Sequence, residues 1–155
     1  MPHFFAYGDR MSEEKMHADL PEATLVGAAH VDGYRLVFNV MSRSWGGGAA
    51  NATFDPGSRL WGVLWEVGDD DLARLDSFRG PSDTPHRVVD VLAHGPTGSV
   101  QAQTFVVDSR SGYVRPTDRY LQMLRSVAAK HDLPFEALDA IEKADQQPHG
   151  PTPSI

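Results

Sequence analysis

The sequence predicts one α+β domain, in which a mixed and mostly antiparallel sheet is flanked by helices. Its 155 residues are enough for one domain with its own core. Short apolar runs separated by Gly- and Pro-containing turns fill much of residues 3–107, as in antiparallel sheets, whereas helical apolar spacing is found in a few segments and after residue 117. We place the domain at residues 1–145. Residues 146–155 are predicted to be a flexible tail, because they contain Pro and Gly but little to bury.

The first elements are a strand and a short helix. The aromatic run His3–Tyr7 predicts a buried strand that ends at Gly8. Ser12 is a helix cap, and the acidic residues that follow it suit the positive end of a helix dipole. The short helix that starts here is predicted to end before Pro21.

Two turn signals organise the middle of the chain. Asp32-Gly33 predicts a hairpin within Ala23–Phe38, because alternating apolar residues follow the pair. Asp55-Pro56-Gly57-Ser58 predicts a second turn, since proline presets φ and glycine allows positive φ. Residues 42–50 are expected to form a flexible loop, and 61–67 a central strand covered on both faces.

The remaining elements follow in order. Asp69-Asp70-Asp71 predicts the start of a short helix with Leu72, Leu75 and Phe78 on one face. Residues 86–92 and 101–107 predict two antiparallel strands joined by a turn at 95–98. Thr117 is expected to cap a longer helix that ends near His131, and Pro134 to begin a last helix with Phe135, Leu138 and Ile141 on its apolar face.

Composition restricts the compartment and the partners. The absence of cysteine fits a reducing cytoplasm, and no apolar stretch is long enough for a membrane helix. A formal net charge of -7, without a basic patch, argues against nucleic acid as a partner. We therefore expect a cytoplasmic protein that binds a small molecule. The oligomeric state is left open by the sequence, with a homodimer as one arrangement.

Several familiar site motifs are missing. Gly46-Gly47-Gly48 is not followed by the Lys-Ser/Thr of a phosphate loop, and no serine lies in a Gly-x-Ser-x-Gly elbow. The seven histidines have no metal-binding spacing, so that a metal site could form only from residues distant in sequence. We expect neither a metal nor an organic cofactor.

The segment FFAYGDRM, residues 4–11, is the most suggestive candidate site. It places a glycine loop between a buried strand and a helix start, and the backbone amides of such a junction can hold a carboxylate or an oxyanion. The alternative is a plain strand-turn-helix connection.

This segment resembles the FxYGSNL signature of the γ-glutamylcyclotransferase family. LWGVLWEV is similar to the family's VxGxxW strand, and LARLDSFRGPS to its LDxxEG helix end. The three motifs occur in the family's order, and the resemblance covers roughly residues 3–135. It implies a small α+β barrel around a polar cavity, and a reaction in which a γ-glutamyl amine closes on its own carbonyl and releases 5-oxoproline.

The resemblance also implies roles for individual residues. The expected cradle for the substrate is made of Tyr7, Gly8, Asp9, Arg10 and Met11. The expected catalytic positions are those of Arg79, at the place of the family's glutamate, and of His86 and Tyr120, where family tyrosines line the cavity.

Two departures from the family pattern matter. Asp9-Arg10 replaces Ser-Asn, and Arg79 replaces the glutamate, although a guanidinium cannot accept a proton at neutral pH. Arg79 is then either an anion clamp or a surface arginine at a helix C-terminus. His86 is the best remaining proton-transfer group, with Asp76 and Asp83 behind it.

These observations predict a diverged enzyme that acts on a small carboxylate-bearing substrate. The expected chemistry is intramolecular acyl transfer, cyclisation or a lyase step, because ring closure depends mainly on positioning and an oxyanion site. The alternative is a non-catalytic binding protein that kept the cavity after losing the glutamate.

Overall fold

The computed structural model describes residues 2–77, 86–109 and 111–146, apart from the side chains of Asp76, Ser77 and Gln146. Its strands are β1 (His3–Ala6), β2 (Thr24–Ser42), β3 (Gly47–Glu66), β4 (His86–Gly95) and β5 (Gly98–Val107). Its helices are α1 (Glu13–Asp19), α2 (Asp71–Ser77), α3 (Asp118–Lys130) and α4 (Phe135–Gln146), with a 3₁₀ turn at Asp9–Met11.

The five strands form a closed barrel in the order β1-β3-β2-β4-β5. All neighbours are antiparallel except β1 and β5, which run parallel where Phe4 pairs with Gln103. The predicted mixed, mostly antiparallel α+β barrel is therefore confirmed. The predicted central strand is confirmed as well, because the end of β3 pairs with both β1 and β2.

The turns predicted at Asp32-Gly33 and at 55–58 are wrong, because β2 and β3 run straight through them. Asp32 pairs with Arg59 and Tyr34 with Phe54, so that four residues of β3 lie opposite Gly33 alone. Gly33 has a φ of 89°. The positive φ of Gly33 and the four residues opposite it form a bulge, which bends a paired strand without reversing it.

The chain reverses instead within the segment that was expected to be a flexible loop. The Gly46 amide donates to the Ser42 carbonyl at 2.9 Å, and β3 begins at the next residue. A Cβ on Gly48 would lie 1.9 Å from the Val114 carbonyl oxygen. The glycine run therefore allows the segment before α3 to pack directly on the β2–β3 hairpin.

Helices α1 and α3 begin directly after the predicted cap residues. The Ser12 side chain accepts a hydrogen bond from the Lys15 amide, and the Thr117 side chain one from the Tyr120 amide. Helix α2 begins at Asp71, the last of the three aspartates. Helix α4 extends through Gln146, one residue into the predicted tail, and the rest of the tail lies outside the described residues.

The core fills the barrel and the space beneath α3. Trp65, Phe5 and Phe38 are fully buried, and Leu121 and Leu124 of α3 pack against the same cluster. Phe135, expected on the apolar face of α4, is 79% exposed, and Ala137, Ile141 and Ala144 bury that helix instead. None of the described helices has the length and apolarity that crossing a membrane requires.

Candidate functional site

A cavity of about 100 Å³ opens where β1 runs into the loop Tyr7–Arg10. The parallel contact of β1 with β5 and the start of β4 complete its wall. Its lining residues are Phe4, Phe5, Ala6, Tyr7, Gly8, Asp9, Arg10, Val40, Ala50, Asn51, His86, Thr104, Phe105, Val107 and Tyr120. The structure thus brings together His86, Tyr120 and the first four residues of the predicted cradle.

Two buried tyrosines hold different hydrogen bonds in this cavity. The Tyr7 hydroxyl donates to the Phe105 carbonyl at 2.6 Å. The Tyr120 hydroxyl instead accepts a hydrogen bond from the Ala50 amide at 2.8 Å, and no described residue accepts its proton. A Cβ built on Gly8 would lie 3.8 Å from the Tyr120 oxygen. Tyr120 therefore has a proton to donate beside the glycine loop.

Burial keeps both hydroxyls protonated. It raises the pKa of Tyr7 and of Tyr120 well above the ordinary tyrosine value. For Tyr120 the charge of Asp9 raises the pKa further, and the Ala50 hydrogen bond lowers it by less than burial raises it. Tyr120 can thus serve as a hydrogen-bond donor at neutral pH and cannot serve as a base.

His86 stands at the first position of β4, opposite Val107. Its ring lies against Phe105, with centroids 4.4 Å apart and an interplanar angle of 38°. The aromatic contact holds the imidazole at the cavity wall, where it is half-buried. His86 lies in the cavity wall because β4 begins at this residue.

Asp9 also faces the cavity. Trp45 donates from Nε1 to Asp9 Oδ2 at 3.4 Å, and the Trp45 ring meets Tyr120 edge to face at 5.0 Å. The Trp45 ring in turn lies 4.9 Å from the Arg119 guanidinium carbon. The carboxylate is therefore positioned by an aromatic side chain from the turn between β2 and β3.

Arg10 and Met11 have structural contacts. Arg10 donates from Nε and an Nη to Asp19 Oδ2 at 3.1 and 3.0 Å, and its carbonyl accepts from Trp65 Nε1 at 3.1 Å. Met11 is 3% exposed in the core and is not among the residues that line the cavity. The guanidinium of Arg10 thus connects the loop to the end of α1. Of the predicted cradle, Tyr7, Gly8, Asp9 and Arg10 line the cavity, and Met11 does not.

Two buried polar residues in the wall were missed by sequence reasoning. Asn51 donates to the Val107 carbonyl at 2.8 Å and accepts from the Val107 amide at 3.0 Å. Thr104 donates to the Phe5 carbonyl at 2.7 Å. Each polar side chain joins strands distant in sequence, so a local pattern carries no signal for it.

Three sequence-predicted groups cannot be placed. Arg79 and Asp83 lie outside the described residues, and so does the side chain of Asp76. Their predicted roles stay predictions.

A larger groove of about 670 Å³ lies between the bulge of β3 and helix α4. Its wall contains exposed ion pairs, including Arg35 with Asp55 nearby and Arg59 with Glu136. We consider the smaller cavity the candidate active site, because it combines buried polar groups, a glycine loop and the acid–base side chains of Asp9 and His86.

The chain belongs to the γ-glutamyl cyclotransferase, AIG2-like family, whose profile matches residues 4–122. This is a family of enzymes. The match includes the loop at the end of β1 and reaches Tyr120 in α3.

Named relatives agree with this assignment, and two solved structures agree with the fold. The γ-glutamylcyclotransferase of Homo sapiens is 27% identical over 150 residues, which cover 92% of this chain and 79% of the human protein. That of Bos taurus is 26% identical with the same coverage. A solved structure of a γ-glutamyl cyclotransferase superposes with a TM-score of 0.79 at 24% identity, over 99% of this chain and 92% of that one. YkqA from Bacillus subtilis superposes with a TM-score of 0.77 at 21% identity, over 96% of this chain and 56% of its own length.

Proposed function

We propose that the protein is a γ-glutamylcyclotransferase-like enzyme that acts on a small carboxylate-bearing substrate in the cavity at the end of β1. The reaction is an intramolecular acyl transfer, or a related cyclisation or lyase step. The observation that supports it most is the Tyr120 hydroxyl, which takes a hydrogen bond from Ala50 and keeps its own proton beside Gly8. Such a donor can polarise the acyl oxygen on which negative charge develops.

In the proposed reaction the substrate supplies its own nucleophile. Its amine nitrogen attacks its acyl carbon, the new C–N bond closes the ring, and the bond from that carbon to the departing nitrogen breaks. The proton lost by the attacking nitrogen reaches the departing one through a base that then acts as an acid. The protein therefore needs to fold the substrate, donate to its oxygen and move one proton.

His86 and Asp9 are the described candidates for the proton step. Both line the cavity, His86 on the β4 side and Asp9 in the loop after β1. Asp9 stands where the family motif has a neutral serine, so that the cradle of this chain contains an additional carboxylate. The same chain has an arginine at position 79, where the motif has its glutamate, and Asp9 is therefore a candidate to replace that acid. For Arg79 we propose a role in holding the substrate's carboxylate, because a guanidinium binds such groups through two parallel hydrogen bonds.

The test is a turnover screen of γ-glutamyl amines, γ-glutamyl amides and related acids, with 5-oxoproline or the released amine as readout. Simple γ-glutamyl amino acids should be poor substrates, because the family's glutamate is missing. With the best substrate, Asp9→Asn and His86→Gln are compared, and the true base is the one whose loss costs about 100-fold or more in kcat. Asp90→Asn, an exposed carboxylate of β4 that accepts from Gln103, is the matched control.

Binding without turnover is the competing function, and the arginine at position 79 is the observation that favours it. It predicts that a γ-glutamyl compound binds, that Tyr120→Phe weakens the binding, and that no product forms at any enzyme concentration. Product formation that survives both Asp9→Asn and His86→Gln unchanged would contradict the proposed site. A cytoplasmic location and a small-molecule partner belong to the same proposal.

A further inference from the structure

Two histidines and an aspartate meet at the other end of β4 from His86. His30 and Asp32 lie two residues apart in β2, and His94 pairs with His30 across the β2–β4 seam. One ligand-type atom from each of the three side chains lies within 4.8 Å of the other two. The histidines are separated by more than sixty positions in sequence, which is the kind of distant pair that motif spacing cannot reveal.

The separations fit a single ion. His30 Nδ1 lies 3.4 Å from Asp32 Oδ1, and His94 Nε2 lies 3.7 Å from Asp32 Oδ2. Bonds of about 2.0–2.2 Å in a tetrahedron would hold ligand atoms about 3.3–3.6 Å apart. The two imidazoles each offer a ring nitrogen within 4.8 Å of the other, so that binding would draw them together around the ion.

The two imidazoles are prepared for ligation in different ways. His30 Nδ1 is buried and makes no well-aligned hydrogen bond to a described residue. His94 Nδ1 lies 2.7 Å from the Ser99 hydroxyl, and a Nδ1–H that donates to Ser99 leaves the lone pair on Nε2, the atom that faces Asp32. A hydrogen bond on the distal ring nitrogen is the usual outer support of a metal-bound histidine.

The surrounding charges allow a cation. Arg59 donates to Asp32 Oδ1 at 3.3 Å and also lies 4.0 Å from Glu136, so that a second carboxylate is available to that guanidinium. The Trp61 ring lies 4.8 Å from the His30 ring and covers it from the β3 side.

We propose that His30, Asp32 and His94 form a binding site for a divalent transition-metal ion such as Zn²⁺, with water completing the coordination. Two imidazoles and a carboxylate favour zinc, nickel or copper over magnesium or calcium, which prefer oxygen ligands. The site is separate from the candidate active site and needs no role in its chemistry.

The position of the site indicates what the metal does. Among the described residues, β2 and β4 share a single register pair, His30 with His94, whereas β4 and β5 pair over their whole length. An ion bound by both members of that pair would link β2 to β4, the two antiparallel neighbours with the fewest backbone pairs among the described residues. Because a ligand of the folded state stabilises it by mass action, zinc should raise the melting temperature in a concentration-dependent way.

The experiment titrates tag-free, metal-stripped protein with Zn²⁺ by calorimetry and records the melting temperature at each concentration. Wild type should bind one equivalent and melt at a higher temperature with zinc. His30→Gln and His94→Gln should each lose the binding and the zinc-dependent rise, and Ser99→Ala should weaken the affinity by about 10–100-fold. His3→Gln is the matched control, because His3 also faces a carboxylate, Glu66 at 3.8 Å, without a second imidazole.

Copper gives a second readout that does not depend on melting. Cu²⁺ bound beside His30 should quench the fluorescence of Trp61, and Trp61→Phe should remove most of that quenching while Zn²⁺ still binds. The proposal is overturned if wild type binds no zinc, if His94→Gln binds it as tightly as wild type, or if His3→Gln loses as much affinity as His94→Gln.

Discussion

The Ala50 amide donates a 2.8 Å hydrogen bond to the Tyr120 hydroxyl, across seventy positions of sequence. It joins β3 to α3 beside the glycine loop, and Tyr120 is 2% exposed. One bond therefore connects the stability of the barrel with the geometry of the candidate active site.

Tyr120→Phe tests both consequences. The substitution leaves the Ala50 amide without its partner, which should lower the free energy of unfolding by about 1–3 kcal/mol. It also removes the proposed donor, so that kcat on the best substrate should fall while the protein stays folded. Chemical denaturation and steady-state kinetics measure the two effects. Tyr34→Phe is the control, since no described residue hydrogen-bonds to its hydroxyl, and an equal loss of kcat in that variant would contradict the assignment.

Ionisation of the Tyr113 hydroxyl should destabilise the folded protein at alkaline pH. Burial and the 2.8 Å hydrogen bond to Asp145 raise its pKa from 10.0 to about 12. The folded protein then holds this proton more tightly than the unfolded chain, so the contribution is complete below about pH 10 and is lost as the pH rises through about 12. The pKa values of Tyr7 and Tyr120 are raised as well, so that their ionisation also destabilises the folded protein as the pH rises.

Tyr113→Phe should therefore make stability less dependent on pH between about 10 and 12, although it lowers stability at neutral pH by the lost hydrogen bond. Urea unfolding at a series of pH values measures the slope. The same slope in wild type and Tyr113→Phe would show that this hydroxyl does not carry the alkaline effect.

Gly48 and Gly57 form a matched pair for the packing of the hairpin. A Cβ on Gly48 would lie 1.9 Å from the Val114 carbonyl oxygen, whereas a Cβ on Gly57 has nothing within 4 Å. Gly48→Ala should destabilise the protein by at least about 1–3 kcal/mol, because backbone must move. Gly57→Ala should be close to neutral or slightly stabilising. Thermal melts of both variants check the difference, and equal melting temperatures would contradict the close approach of the segment before α3.

Arg79 is tested by two substitutions. If the guanidinium clamps an anionic group, Arg79→Lys should weaken ligand binding although the charge is kept, because lysine lacks the planar fork. Arg79→Glu introduces the glutamate that the motif resemblance implies at this position, and it should remove the native function, with a trace of cyclotransferase activity as a gain. Ligand affinity, turnover and melting temperature are measured together. An unchanged function in Arg79→Glu would indicate a surface arginine.

The sequence was sufficient where local rules decide the structure. Thr117 caps α3 as its position before an apolar helical pattern predicts, and β4 and β5 form a hairpin because the turn lies directly between them. The turns predicted at Asp32-Gly33 and at residues 55–58 are wrong, because the positive φ of Gly33 suits a bulge as well as a turn, and residues 55–58 lie opposite that glycine in the bulge. The choice between them depends on which strand lies opposite, and that is a tertiary property.

In the candidate active site, too, some features follow from the local sequence and others only from the tertiary structure. The sequence by itself determined that Gly8 and Asp9 follow a buried strand, that Tyr120 lies in the first turn of a helix, and that an arginine stands at position 79. Only the tertiary structure decided that Tyr120 lies beside Gly8, that Arg10 turns to Asp19, and that His30 meets His94. Strand register in the closed barrel brings His30 to His94, whereas the packing of α3 and α1 against the loop after β1 brings Tyr120 to Gly8 and Arg10 to Asp19. Local sequence patterns predict neither strand register nor helix packing, so they did not predict these contacts.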